Sequence, residues 1–391
     1  MRSVLNDIPV SEPDDEMCQV FGRLSAQRSH VLPLSKGQAA LLEQLSKVRE
    51  QDGGRTVLVG QSRLLTQADS TSPRACRLCG YCSAGCVYGS IYTAEQHIDR
   101  WVREGSVNYR ANCTVVSVDE SENVVRIHFE RDEKSEIVEA DRLFLAAGAV
   151  NSARILLASS LGAMESVVIR RTGGFVQILA TPTKFEISWP ELNTQTSHFV
   201  AFRDKHLSPY WVHVQIGQPN ELLLSRLGAK YENAGSPVGR AARSLAGRMI
   251  SAVMNLHSSL GPTYEIRLAS GTGSAKGMRR LETRQSWSRE SRAAMHAHAR
   301  MLRGVLRRAR FYAVPLANFD SEAGPGYHFG ATFPMRANPK QPNDTDVLGR
   351  PFGSSRIHVV DTSVLPAIPA TTVGLLTMAN AHRIAAQSIN L

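Results

Sequence analysis

The chain contains no apolar run that approaches the roughly 20 residues a membrane span needs, which excludes a helical transmembrane anchor of ordinary length. Its opening, "MRSVLNDIPVSEPDDEMCQV", lacks the basic-then-apolar order of a secretory leader, so the expected address is cytoplasmic and the thiols are expected to be reduced. Internal repeats and low-complexity tracts are missing too, which excludes a solenoid and a disordered linker protein. Acidic side chains are in short supply, 35 against 45 Lys and Arg, for a net charge of +10. Such a balance suits an anionic partner. Much of the excess, however, sits in "KGMRRLETRQ" and "ARMLRGVLRRARF", and in the second Met301, Leu302, Val305, Leu306 and Ala309 recur at helical spacing. The arginines between them read as the solvated side of an amphipathic helix, and no nucleic-acid module accompanies them.

What is present is an ordinary globular composition, 42% apolar and 20% charged, over 391 residues, enough for one large or two ordinary domains. "KGQAALLEQLSKVREQ" predicts a helix and "TVLVG" a strand. "SIYTAEQHIDRWVREG" again predicts a helix, followed by strands in "NCTVVSVDE", "VVRIHFERD" and "EIVEADRLFLAAG", the last two joined across Arg131–Glu136. "RLFLAAGAVNSARILLASS" reads as a buried strand turning through Gly148 into a helix. The small residues Ala146, Ala147, Gly148 and Ala149 leave the backbone approachable, or else simply allow tight packing. Between about 165 and 275 the alternation of "GGFVQILATP", "KFEISWPEL", "SHFVAFRD", "YWVHVQIG" and "PTYEIRLASG" predicts an antiparallel sheet. Helices are expected near 236–256 and 287–311. The end of the chain reads as strand, Asp361, a Pro-containing loop, and a helix starting near Thr372.

Four of the six cysteines, Cys76, Cys79, Cys82 and Cys86, fall within eleven residues as C-x2-C-x2-C-x3-C. Ferredoxin-type runs of this spacing are followed by Pro and by a second run; here Val87 follows and no second run exists. The favoured expectation is a tight Gly-rich loop with buried free thiols, with an iron–sulfur cluster on these four residues as the alternative.

Three segments, taken together and in order, resemble the glucose–methanol–choline (GMC) family of flavin oxidoreductases: "ADRLFLAAGAVNSARILLASS", "GYHFGATFPM" and "LGRPFGSSRIHVVDTSVLPAIPATTVGLLTMANAHRIA". "CRLCGYCSAGCVYG" is similar to a cysteine-rich segment many members carry, which implies that the Gly-rich loop of free thiols lies near the flavin. The resemblance runs from about residue 30 to the C-terminus. It implies an α/β (α+β) protein in which a partial Rossmann-like FAD-binding domain is interrupted by an antiparallel-sheet substrate-binding domain with helices. The expected division is an opening segment with part of both domains at 1–70, FAD-binding segments at 71–160 and 320–391, and the substrate domain at 161–319. The implied activity is oxidation of a small-molecule alcohol at a CH–OH group by hydride transfer to FAD, with His328 as base.

Thr372 occupies the family's second catalytic position, usually His or Asn. Threonine can hydrogen-bond a substrate oxygen but cannot serve as a base. Thr371 and Thr372 also suit helix capping, and Asn380 lies eight residues too late to substitute. For the cofactor the resemblance implies contacts from Val115, Ala147, Gly148, Asp361, Thr372 and Val373; Asp361 also reads as a turn residue. Trp189, Tyr210, Trp211, Tyr264 and Trp287 are aromatic candidates for the substrate wall or for core. The family's strand–G-x-G-x-x-G–helix turn, which anchors the FAD pyrophosphate, is absent: "LVGQSRLL" and "SGTGSAKG" do not supply it. Met1 is expected to fall inside the family's first domain, so a separate N-terminal FAD-binding half, or an electron acceptor, is an expected partner. The alternatives are a non-catalytic remnant, a substrate-domain subunit, or an iron–sulfur electron-transfer flavoprotein subunit.

Overall fold

The computed structural model describes residues 32–159, 164–186, 193–219, 235–269, 279–320 and 328–389. Four sheets and their covering helices make up a mixed fold with an open main sheet.

Helix α1 (Lys36–Ser46) starts where a capping box allows: Ser35 accepts from the Gln38 amide while the Gln38 side chain accepts from the Ser35 amide. It ends earlier than its apolar period suggests, because residues 50–61 turn back as a hairpin of β1 (Glu50–Asp52) and β2 (Arg55–Gln61). That hairpin begins a seven-stranded antiparallel sheet ordered β1-β2-β9-β10-β11-β8-β14. The other members are β8 (Gly174–Ala180), β9 (His198–Asp204), β10 (Val212–Gly217), β11 (Met249–Asn255) and β14 (Tyr312–Asp320).

Period-two alternation decides the faces of this sheet. Val200, Phe202, Val212, Val214, Ile216, Ile250 and Met254 point into the main core, which α1 covers with Leu41 and Leu45. The 20-residue α5 (Arg289–Arg308), capped by Ser288, covers it with Met295, Leu302 and Leu306. The arginines Arg292, Arg300, Arg307 and Arg308 lie on the outside of α5, the solvated face its spacing predicts. The opposite face of the sheet carries Val176, Phe199, His213, Gln215, Val253 and Asn255, all half-buried.

One expectation fails here. Residues 236–256 are not one helix: α4 spans Pro237–Ala246, and β11 follows to fill the centre of the sheet. The run "MISAVMN" is apolar on both readings, and sheet pairing on both sides overrides its helical period. The expected strand "KFEISWPEL" is not a strand over 184–186; the rest of it lies outside the described residues.

A meander of β3 (Thr114–Glu120), β4 (Val125–Arg131) and β5 (Lys134–Ala140) follows the sequence reading closely, with Asp132 and Glu133 in left-handed conformation at the tight turn. Before it, α2 (Glu95–Arg103) begins four residues after Ile91, which pairs with Thr66. Strand β6 (Leu143–Leu145) leads into α3 (Ala149–Ala158) and pairs in parallel with β16 (Ile357–Val359). A four-stranded sheet ordered β13-β12-β7-β15 joins them in a second core containing Val118, Leu156, Ile169, Phe333 and Val359. Its strands are β7 (Ser166–Arg171), β12 (Thr263–Leu268), β13 (Leu281–Ser286) and β15 (Phe329–Gly330). The final helix, α6, spans Gly374–Ser388. Among the described residues no helix is long and apolar enough to cross a membrane.

Candidate active site

Strand β6 carries the chain to Gly148, whose φ of +80° only glycine adopts without strain. No atom lies within 4 Å of where its Cβ would stand, so the turn is open on that side. Behind it lies Asp361, almost fully buried at the end of β16. One carboxylate oxygen accepts from the Gly148 amide at 2.8 Å and the Ser152 hydroxyl at 2.5 Å, and the other from the Ser363 amide at 2.8 Å. The turn-residue reading of Asp361 is therefore correct in geometry, and the bond to Gly148 joins two of the expected cofactor residues directly.

Asp361→Ala should accordingly cost about 3 kcal/mol or more. It strands two buried donors, the Ser152 hydroxyl and the Ser363 amide, and the part-buried Gly148 amide, and unmade buried hydrogen bonds cost about 1–3 kcal/mol each. A fall in the urea midpoint with an unchanged slope is the expected reading; an unchanged midpoint would refute the clamp.

The second strand of the site runs through His328. Its carbonyl accepts from the Thr172 amide at 3.3 Å. Gly330 then passes so close to the chain after Asp361 that a Cβ would stand 2.3 Å from the Thr362 carbonyl oxygen. Ala331, Phe333 and Met335 donate in turn to Thr362, Ser363 and Val364 at 2.8–2.9 Å. This zipper sets 328–335 beside 361–368. Ile368 is pinned from the other side: its carbonyl and amide bond Ser258, both at 2.9 Å. Ala331, Leu365, Ile368, Val373 and Leu376 close into one small apolar cluster, bringing the His328 segment and the start of α6 to a common place.

α6 begins two residues later than Thr372. Its N-cap is Val373, and no side chain caps it, so the capping expectation for Thr371 and Thr372 fails. Both threonines are exposed, and the first-turn amides are left without a side-chain acceptor. Asn380 is buried and accepts from Arg383, which removes it from any catalytic position.

Burial depresses the pKa of His328. His213, on the half-buried face of the main sheet, lies near enough that the His328 charge adds to burial in pushing its own pKa down to about 4. The ring of His213 stacks on Phe199 with centroids 5.7 Å apart. His257 lies flat on Tyr210 at 4.0 Å and is held near 4 by burial and then by the Arg170 charge. Neither His213 nor His257 was legible as a site residue: each sits in an alternating strand or at its end, and only cross-strand register carries it here.

The remaining expectations divide. Tyr264 meets Phe329 edge-on at 5.6 Å and accepts from Arg171, beside the His328 strand. Trp211 stacks under Arg203, and Trp287 is core, its indole donating to Leu260. Trp189 lies outside the described residues. Ala147 is exposed at the Gly148 turn. Val115 sits in β3, its side chain packed against the second core. The cysteine loop is as tight as its glycines imply: Gly80, Gly85 and Gly89 all have positive φ, and the described cysteines are free. Among the described residues no three His, Cys, Asp or Glu side chains are placed to hold a metal ion.

Mixed helices and antiparallel sheets around an open main sheet make a fold similar to that of GMC oxidoreductases. The family model described as GMC oxidoreductase matches residues 264–381, so this portion is similar to that family, consistent with its sequence resemblance. Among solved structures, the chain is similar to pyridoxine 4-oxidase from Mesorbium loti. The TM-score is 0.58 at 16% identity, covering 92% of this chain and 71% of that one. It is also similar to an FAD-dependent oxidoreductase from Chaetomium thermophilum, at a TM-score of 0.49 and 10% identity over 77% of this chain and 64% of that one. No curated protein matches it.

Proposed function

We propose that the chain is the substrate-facing and C-terminal part of an FAD-dependent oxidoreductase acting on a CH–OH group of a small-molecule alcohol. The observation that supports this reading best is the meeting of the His328 segment with the uncapped start of α6, in the cluster of Ala331, Ile368 and Val373.

FAD, when bound, supplies the hydride acceptor. The residues present fit such a group in two ways: the Gly148 turn has open space where a side chain would stand, and the first turn of α6 offers unclaimed amides. Ala147 and Gly148 would flank the dinucleotide, with Asp361 holding their turn and facing the pyrophosphate or ribityl chain. The backbone at Val115 would meet the adenine. The amides near Thr372 and Val373 would face the electron-rich edge of the ring, where a helix N-terminus favours negative charge. His328 is neutral at pH 7 because burial lowers its pKa, so it can take the hydroxyl proton. Thr372, exposed just before α6, would orient the substrate oxygen by a hydrogen bond.

A second reading, a substrate-domain subunit without FAD affinity of its own, is favoured by β6 and β16 pairing only with each other among the described residues. Calorimetry of the chain with FAD separates the two. Micromolar binding, with a flavin absorbance band bleached anaerobically by an alcohol, supports the first. Binding only in complex with a separate FAD-binding half supports the second. If neither preparation takes up flavin, both readings fail.

A further inference from the structure

Cys76, Cys79, Cys82 and Cys86 line a single cavity of about 20 Å³, together with Ser90 and Asn193. The loop reaches this shape through four left-handed residues, Leu78, Gly80, Gly85 and Gly89. Asn193, nearly fully buried, stands between two of the sulfurs: its Nδ2 is 4.0 Å from Cys76 Sγ, and Cys82 Sγ is 3.7 Å from its Oδ1. The Ser90 amide donates to Cys86 Sγ at 3.3 Å. The backbone of Ile91 and of Tyr88 lies near enough to that sulfur to favour its charged form as well.

Several donors on one sulfur make a cradle for a thiolate. Burial works against the charge on Cys86, but the hydrogen bonds from Ile91, Ser90 and Tyr88 outweigh it and hold its pKa below the ordinary thiol range. Cys76 is the opposite case: burial pushes it up, and the charges of Cys82 and Cys86 push in the same direction. One cavity thus pairs a sulfur whose charged form is favoured with one whose charged form is disfavoured.

Size selects the ligand. A cavity must offer about 10–15 Å³ to hold one water, so this one admits a molecule only slightly larger than water. No three of the described Cys, His, Asp or Glu side chains are placed for a single ion. We propose that Cys86 is a peroxide-reactive thiol and that Cys76, lining the same cavity, resolves it to a disulfide. The Cys86 thiolate attacks one oxygen of hydrogen peroxide, so that an S–O bond forms and the O–O bond breaks. The departing hydroxide takes up the proton released when Cys86 ionised. The Cys76 sulfur then attacks the sulfenic sulfur, forming S–S and breaking S–O, and the hydroxyl leaves as water with the Cys76 proton. Two thiols are oxidised by two electrons, and one peroxide becomes two waters. The step needs no flavin.

The test uses the reduced full chain with one equivalent of hydrogen peroxide, quenched by alkylation and read by peptide mass mapping. A Cys76–Cys86 disulfide is expected in the native chain, and Cys76→Ser should leave a sulfenic acid on Cys86 that dimedone traps. Cys113 is an internal reference, because its sulfur is aimed at the Ala111 carbonyl oxygen rather than at amides. Cys86 should be oxidised measurably faster than Cys113, because an amide donor on its sulfur favours the reactive thiolate. The comparison within the native chain stands even if Cys76→Ser misfolds. Equal rates at Cys86 and Cys113, a disulfide that omits Cys86, or iron and acid-labile sulfide in anaerobically purified protein would each overturn the proposal.

Discussion

Between pH 6.5 and about 4 the folded chain is expected to lose most of its stability, and two buried histidines and a half-buried one are the reason. Burial holds His198, His213 and His257 each near a pKa of about 4, against 6.5 for an ordinary histidine. The unfolded chain therefore binds protons that the native chain refuses. Stability is fully present above pH 6.5 and is lost as pH falls toward the folded value. A gap of about 2.5 units is worth about 3 kcal/mol per histidine at 1.36 kcal/mol per unit. Even half the total for three approaches the 5–15 kcal/mol that holds a typical domain together. His198 is the most exposed to this effect in energy and the least in space: it is fully buried, Nδ1 meets the Ser197 hydroxyl at 2.9 Å, and Nε2 has no hydrogen-bond partner among the described residues. Protonation would leave an N–H⁺ facing the main core. Urea midpoints measured from pH 7.5 to 5 should fall steadily, and His198→Leu should flatten part of the slope. Midpoints that stay level across this range would show that the rings are hydrated in solution.

Local chemistry in the sequence was enough to place several of these features. The turn at Gly148, the strand before Asp361 and the amphipathic α5 each depend on residues close in the chain. Small residues, period-two runs and an i, i+3, i+4 stripe report them directly. The likeness of 264–381 to GMC oxidoreductases was legible for a similar reason: its marks, such as Gly330 and Asp361, are residues whose identity is forced by a close backbone approach or a buried carboxylate. The misses have a common cause. The run 249–255 is equally apolar on helical and strand periods, and only its two neighbours in the sheet decide. His213 and His257 reach the site through cross-strand register, which no local pattern encodes. Thr371 and Thr372 resemble caps in every local respect. The helix nonetheless starts at Gly374, because packing of Val373 and Leu376 against Ala331 and Ile368 fixes where the first turn lies.

His328→Ala tests the chemistry at that packed junction. If His328 takes the substrate proton, its removal should lower kcat by about 10²- to 10⁴-fold, the usual contribution of a positioned general base. That is about 2.7–5.5 kcal/mol of barrier. The flavin band of the assembled protein should survive, because the expected cofactor contacts are made by other residues. The pH profile adds a readout that a merely structural histidine would not move. Burial lowers the His328 pKa, so its basic form persists below the pH at which an ordinary histidine protonates. Activity should therefore be level through neutrality and fall only on further acidification, at pH values where the folded fraction, followed by circular dichroism, is still intact. Thr372→Ala should cost far less, about 1 kcal/mol for one hydrogen bond, and appear more in KM than in kcat. The two variants together distinguish a base from an orienting group. A kcat that survives His328→Ala with flavin bound would move the proton to another acceptor, and His213, the neutral ring beside it, is the next residue the geometry offers.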